Sequence, residues 1–102
     1  TVYEPFGYEA LRAANREVFG RDAVPHYALS EARYILSFGA DFLETWLSPV
    51  EQARGFTESH GFAEGEMGRY VHVEPRMSMT AMSADEWLAP APGTEALLAL
   101  AL

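Results

Sequence analysis

The 102-residue chain predicts an α/β fold, a three-layer Rossmann-like domain with a short parallel sheet. Three observations carry that reading. Strand-type and helix-type apolar patterns alternate along the chain. The run Tyr34-Ile35-Leu36-Ser37-Phe38 is almost continuously apolar, as a buried parallel strand requires. Ser48-Pro49-Val50-Glu51 then opens a helix between this run and the next strand-like segment, the arrangement of a right-handed crossover unit.

Each element has its own local cause. Val2-Tyr3 is β-prone and is interrupted by Pro5. From Tyr8 to Phe19 the apolar side chains Tyr8, Leu11, Ala14, Val18 and Phe19 recur at helical spacing, and Gly20 supplies a stop. Arg21 to Ser30 reads as loop, with Pro25 inside it, and Gly39 ends the strand at Tyr34–Phe38. Asp41 to Leu47 reads as a loop or a short helix. In the next helix Ser48 is placed to cap, Pro49 suits the first turn and Glu51 completes a capping box. Val50, Ala53 and Phe56 are expected to form its inner face, and His60-Gly61 to end it. Arg69-Tyr70-Val71-His72-Val73 reads as a further strand, ending at Glu74-Pro75. An irregular stretch follows, and then a helix capped by Thr94, with Glu95 in the first turn where the helix dipole favours an anion.

Composition limits the functional classes. A formal net charge of −8 disfavours an electrostatic grip on nucleic acid or on an anionic membrane. All seven basic residues are arginine. A phosphate site remains possible because backbone N–H groups bind phosphate without lysine. The absence of cysteine excludes disulfides, iron–sulfur clusters and thiolate zinc sites within these 102 residues. No apolar run approaches the ~20 residues of a membrane span. The beginning at Thr1-Val2-Tyr3 and the uncapped apolar ending Leu97-Leu98-Ala99-Leu100-Ala101-Leu102 suggest a single domain, residues 1–102, excised from a larger chain.

In a parallel sheet of this kind, ligands lie beyond the carboxyl ends of the strands. Gly39 there allows close backbone approach to a ligand, or is a plain strand-ending turn. Glu74 is an acid in the usual place for ribose hydroxyls, or a solvated loop acid paired with Arg76. No glycine-rich dinucleotide fingerprint or P-loop is present, and no GxSxG elbow. Met77, Met79 and Met82 are read as gap-fillers under an irregular loop rather than as ligands of a soft metal. The histidines at 26, 60 and 72 are widely spaced, as surface or sheet residues, and Asp41, Glu44, Asp85 and Glu86 as acidic surface.

Two stretches taken together, SFGADFLETWLSPVEQ and VHVEPRMSMTAMSADEWLAPAPGTEALLALAL, resemble the molybdopterin oxidoreductase family of the dimethyl sulfoxide reductase type. The resemblance runs from about Glu31 to Leu102. It rests on Phe38-Gly39-Ala40-Asp41, Glu74-Pro75-Arg76, Thr80-Ala81, Ala84-Asp85-Glu86-Trp87 and Pro92-Gly93-Thr94-Glu95 in this order. The GADFLETW and PGTE variants look most like the molybdopterin-type subunits of respiratory complexes similar to alternative complex III or polysulfide reductase.

This resemblance implies a domain that helps hold a molybdopterin guanine dinucleotide cofactor within a redox-active parent. The parent would be exported to the periplasmic side and membrane-associated, with iron–sulfur and membrane subunits as partners. Gly39 and Ala40 would approach the dinucleotide phosphates, Glu74 would face the guanosine ribose, and Arg76 and Thr80 would line the same edge. Pro92, Gly93, Thr94 and Glu95 would shape a turn near the guanine or pterin. The family's cysteine ligands and molybdenum ligand lie outside these residues, so the domain by itself would not catalyse. Glu replaces the family's common Asp at 74 and 95, and Ala40 stands where a polar residue, often Asn, is usual. Two alternatives follow: a structural module of a respiratory complex that has lost the cofactor, and a stand-alone nucleotide-binding domain.

Overall fold

A computed structural model describes residues 7–62 and 66–102. Its elements are α1 (Glu9–Phe19), a 3₁₀ turn (Leu29–Glu31), β1 (Tyr34–Phe38), α2 (Pro49–His60), β2 (Arg69–Val73), α3 (Met79–Met82), β3 (Glu86–Leu88) and α4 (Glu95–Ala101). The three strands form one parallel sheet in the order β1-β2-β3. The expected α/β class with a short parallel sheet is therefore present. The expected strand at Val2-Tyr3 lies outside the described residues. No helix among the described residues is long and apolar enough to cross a membrane.

The register fixes the faces of the sheet. Ile35 pairs with Tyr70, and Ser37 with His72 and then Trp87. Side chains alternate along a strand, so Ile35, Ser37, Tyr70, His72 and Trp87 share one face. The core forms at the Ile35–Tyr70 end. Phe42, Phe56 and Tyr70 pack edge to face, with ring centroids 5.3–5.8 Å apart, and Leu29, Ile35, Leu43, Trp46 and Ala84 close around them. That geometry suits aromatic quadrupoles and adds to their area burial. The other face carries Leu36, Val71, Val73 and Leu88. Its centre is buried, whereas Tyr34, Leu36 and Leu88 are exposed.

Helix α1 starts at Tyr8, whose hydroxyl accepts from the Leu47 amide at 3.1 Å. It stops at Gly20, which adopts φ 69° as the predicted terminator. Helix α2 begins and ends where the sequence indicates, with Pro49 in its first turn, but the capping box is absent. The Ser48 side chain makes no cap bond, and Glu51 instead meets His26 at 2.8 Å. The inner face of α2 also differs from the expected one. Phe56 is buried, but Val50 is 77% exposed, and Gln52 takes the inward position. The Gln52 amide, oriented with its nitrogen toward the preceding loop, donates to the carbonyls of Phe42 and Trp46 at 3.0 and 3.2 Å. A polar residue is tolerated there because both bonds are made inside the protein.

The stretch after Pro75 is more regular than its composition predicts. Ser78 caps the single turn of α3, its hydroxyl accepting from the Ala81 amide at 3.0 Å. Thr80 and Ala81 face inward while Met79 and Met82, one turn apart, face out. Met77, Met79 and Met82 are 50–69% exposed, so they are not the gap-fillers expected. Small residues, not methionines, fit against the sheet at this point. Asp85 then leads into the unexpected strand β3: its amide donates to the Tyr70 carbonyl, and its carboxylate accepts from the Tyr70 amide at 2.7 Å.

Candidate functional site

The carboxyl ends of β1 and β2 are joined directly. The Gly39 amide donates to the Val73 carbonyl at 2.9 Å, so the turn after β1 and the Glu74-Pro75-Arg76 segment after β2 lie side by side. Gly39 has φ 64°, a conformation that suits glycine, and the direction its missing Cβ would take is open for 4 Å. Backbone is thus presented at the edge without a side chain in front of it.

The next residues are organised around Asp41. Its carbonyl accepts from the amides of Glu44, Thr45 and Trp46, which turns the chain back toward α2. Its carboxylate accepts from the Thr45 hydroxyl at 2.9 Å and from the Thr80 hydroxyl. Thr80 is fully buried, and its oxygen also accepts from the Leu43 amide at 3.3 Å. The structure brings Thr80 to the predicted edge but turns it inward, as a tie between two loops.

Glu74 is held more tightly than an exposed loop acid. Its side chain is 13% exposed. Its amide donates to the Leu88 carbonyl at 3.1 Å, and its carbonyl accepts from the Trp87 indole at 2.8 Å. One carboxylate oxygen lies 3.3 Å from Nε2 of His72, and the other lies 3.8 Å from Arg76, whose side chain is largely in solvent. The solvated-acid reading therefore fails, while a loose pairing with Arg76 is present.

Behind Glu74 runs a row that sequence reasoning did not assemble. His72 is fully buried, and its Nδ1 is 2.7 Å from the Tyr70 hydroxyl. Burial lowers the His72 pKa, opposed by the hydrogen bond and charge of Glu74 and by the charge of Asp41. Burial likewise raises the Tyr70 pKa strongly; a hydrogen bond from Ser37 opposes this, and the charges of Glu74 and Asp41 reinforce it. Both groups are thereby kept neutral near pH 7. The signal was available as the alternation Tyr70-x-His72-x-Glu74, which puts three polar side chains on one strand face.

The remaining predicted residues form a separate group. Gly93 has φ 83°, and Thr94 sits at the start of α4. The Thr94 side chain does not cap α4; its hydroxyl donates to the Ala91 carbonyl at 2.6 Å. Glu95 lies in the first turn, as expected. Among the described residues, no hydrogen bond links Pro92–Glu95 to Gly39, Asp41, Glu74 or Thr80.

The other histidines have structural partners. His26 meets Glu51 on the surface. His60 stacks on Phe56, its Nδ1 is 2.8 Å from the Gly68 carbonyl, and its Nε2 is 3.6 Å from Asp85.

A strand-end glycine turn beside an acid and an exposed guanidinium is a chemically suitable edge for a nucleotide. The Gly39 amide is spent on Val73, so close backbone approach and the Arg76 guanidinium are what suit phosphate here, and a fixed carboxylate suits ribose hydroxyls.

No family model matches the chain. It is 32% identical over 95 residues, 92% of its length, to the menaquinone reductase molybdopterin-binding-like subunit of Nitratidesulfovibrio vulgaris (strain Hildenborough). It is 35% identical over 78 residues, 74% of its length, to the arsenate respiratory reductase molybdopterin-containing subunit ArrA of Shewanella sp. (strain ANA-3). It spans 14% and 8% of the lengths of those two proteins. The chain is thus similar to one segment of two molybdopterin-type reductase subunits, as the sequence resemblance led us to expect.

Proposed function

We propose that residues 1–102 act as one Rossmann-like domain within a molybdopterin oxidoreductase, holding the nucleotide end of a molybdopterin guanine dinucleotide. The observation that carries this reading is the Gly39–Val73 hydrogen bond, which sets an open glycine turn beside Glu74 and Arg76 at one sheet edge. The Gly39 and Ala40 backbone would meet the phosphates, Glu74 the ribose, and Arg76 a phosphate or the ribose rim. Thr80 would act indirectly, by fixing the Asp41 loop. Gly93, Thr94 and Glu95 would form a second wall. When bound, the cofactor supplies the redox chemistry; these residues bind and orient its nucleotide. The partners in this reading are the rest of a longer chain and the iron–sulfur and membrane subunits of a reductase complex.

The test is a titration of the purified protein with GMP or GDP, followed by backbone amide shifts. Gly39, Glu74 and Thr94 should move together. No response from the three at millimolar nucleotide would remove the binding role.

A second reading is favoured by particular contacts: Thr80 is spent on Asp41, one oxygen of Glu74 faces His72, and Ala40 offers no polar side chain. In that reading the domain is a structural module of a respiratory complex that keeps the fold without the cofactor. Metal analysis of the full-length protein separates the two, because stoichiometric molybdenum is incompatible with the second.

A further inference from the structure

We propose that His72 is a positioning residue for Glu74: its imidazole fixes the carboxylate in the orientation that receives ribose hydroxyls. The proposal rests on the assignment of Glu74 as a ribose contact.

The geometry determines the proton arrangement. His72 is fully buried, so its ring nitrogens depend on their protein neighbours. An ionised carboxylate can only accept, so Nε2 carries the proton toward Glu74 and Nδ1 accepts from the Tyr70 hydroxyl. The depressed His72 pKa and the raised Tyr70 pKa agree with this neutral arrangement. Ser37 of β1 and Trp87 of β3 flank His72 in register, and Trp87 also binds the Glu74 carbonyl. Backbone and carboxylate of Glu74 are therefore both fixed from the same sheet face.

Side-chain length matters here. Glu74 must fold back two residues along its own strand to meet His72. Aspartate, one methylene shorter, would leave its carboxylate short of Nε2. The oxygen that faces His72 is committed, and among the described residues the other has only the Arg76 guanidinium at 3.8 Å. Arg76 is 74% exposed and can swing toward a phosphate, which leaves that second oxygen open to a hydroxyl donor.

Two experiments test the proposal. In long-range imidazole ¹H–¹⁵N spectra of the ligand-free protein, His72 should be a single Nε2–H tautomer, and E74D should shift it toward a mixture. Unchanged His72 ring shifts in E74D overturn the proposal, whether or not a nucleotide binds. The second experiment compares GDP with 2′,3′-dideoxy-GDP. H72F should weaken GDP binding about tenfold, the value of one hydrogen bond to a charged group. H72Q, whose amide nitrogen replaces Nε2, should recover most of that loss, and the dideoxy analogue should bind all three proteins alike. GDP binding unchanged in a folded H72F, or equal loss of the dideoxy analogue, overturns it. If the unaltered protein ignores GDP, the ribose assignment fails, and the E74D spectra still decide whether His72 positions Glu74.

Discussion

The Thr80 hydroxyl donates to the Asp41 carboxylate across 39 positions of sequence, tying the loop after β1 to the turn of α3. The same oxygen accepts from the Leu43 amide, so one buried atom of α3 makes two bonds to that loop. T80V keeps the shape and removes the hydroxyl. It strands the Leu43 amide and one Asp41 oxygen, and should cost about 1–3 kcal/mol. T80S keeps the bonds and should recover part of that loss. Urea denaturation with an unchanged m value checks both, and a neutral T80V would show that the tie does not hold the loops together.

Gly39 makes a different prediction, because its constraint is conformational and not steric. At φ 64°, with open space where a Cβ would point, G39A should cost roughly 1–2 kcal/mol, the penalty of the left-handed region for an L-residue. Substitution by Asn, which tolerates this region better, should cost less than Ala. The order Gly, Asn, Ala in thermal stability is the check. An Ala variant as stable as the parent would mean that the turn relaxes to another conformation.

Much of this fold was legible in local sequence because its causes are local. Proline at the start of α2, glycine after α1 and the apolar runs at Tyr34–Phe38 and Arg69–Val73 act within a few residues. What was not legible depends on tertiary partners. Strand β3 has only three residues, and it exists because Asp85 and Glu86 meet β2. Gln52 looks like a surface residue until the carbonyls of Phe42 and Trp46 are placed opposite it. At the site, Gly39 and Glu74 were identifiable as strand ends. The burial of Thr80 and the support of Glu74 by His72 required the packed structure.

The corrected face of α2 is itself testable. Val50 is 77% exposed, so V50E should change stability by no more than about 0.5 kcal/mol, as surface substitutions usually do. Phe56 sits in the aromatic cluster with Phe42 and Tyr70, and F56A should cost about 3–5 kcal/mol through lost burial and a cavity. In a domain with so small a core, that loss should abolish the cooperative unfolding transition. A comparison of the two variants by denaturation identifies the inner face, and a V50E as damaging as F56A would restore the face expected from helical spacing.

The last prediction concerns acid. His72 is buried and neutral, and burial holds its pKa below the ordinary value. In the unfolded chain that ordinary value is about 6.5. Below about pH 6.5 the unfolded state therefore binds a proton that the native state refuses, and acidification favours unfolding. The stability from this group is complete above about pH 6.5. It declines as the pH falls toward the lower native pKa, with a slope no steeper than about 1.4 kcal/mol per pH unit. H72Q cannot titrate, and the other titratable groups are common to both proteins. The stability advantage of the unaltered protein over H72Q should accordingly shrink between pH 7.5 and 5.5. Urea denaturation at the two pH values measures it, and an advantage that stays constant would mean that His72 takes up its proton equally in the folded and unfolded states.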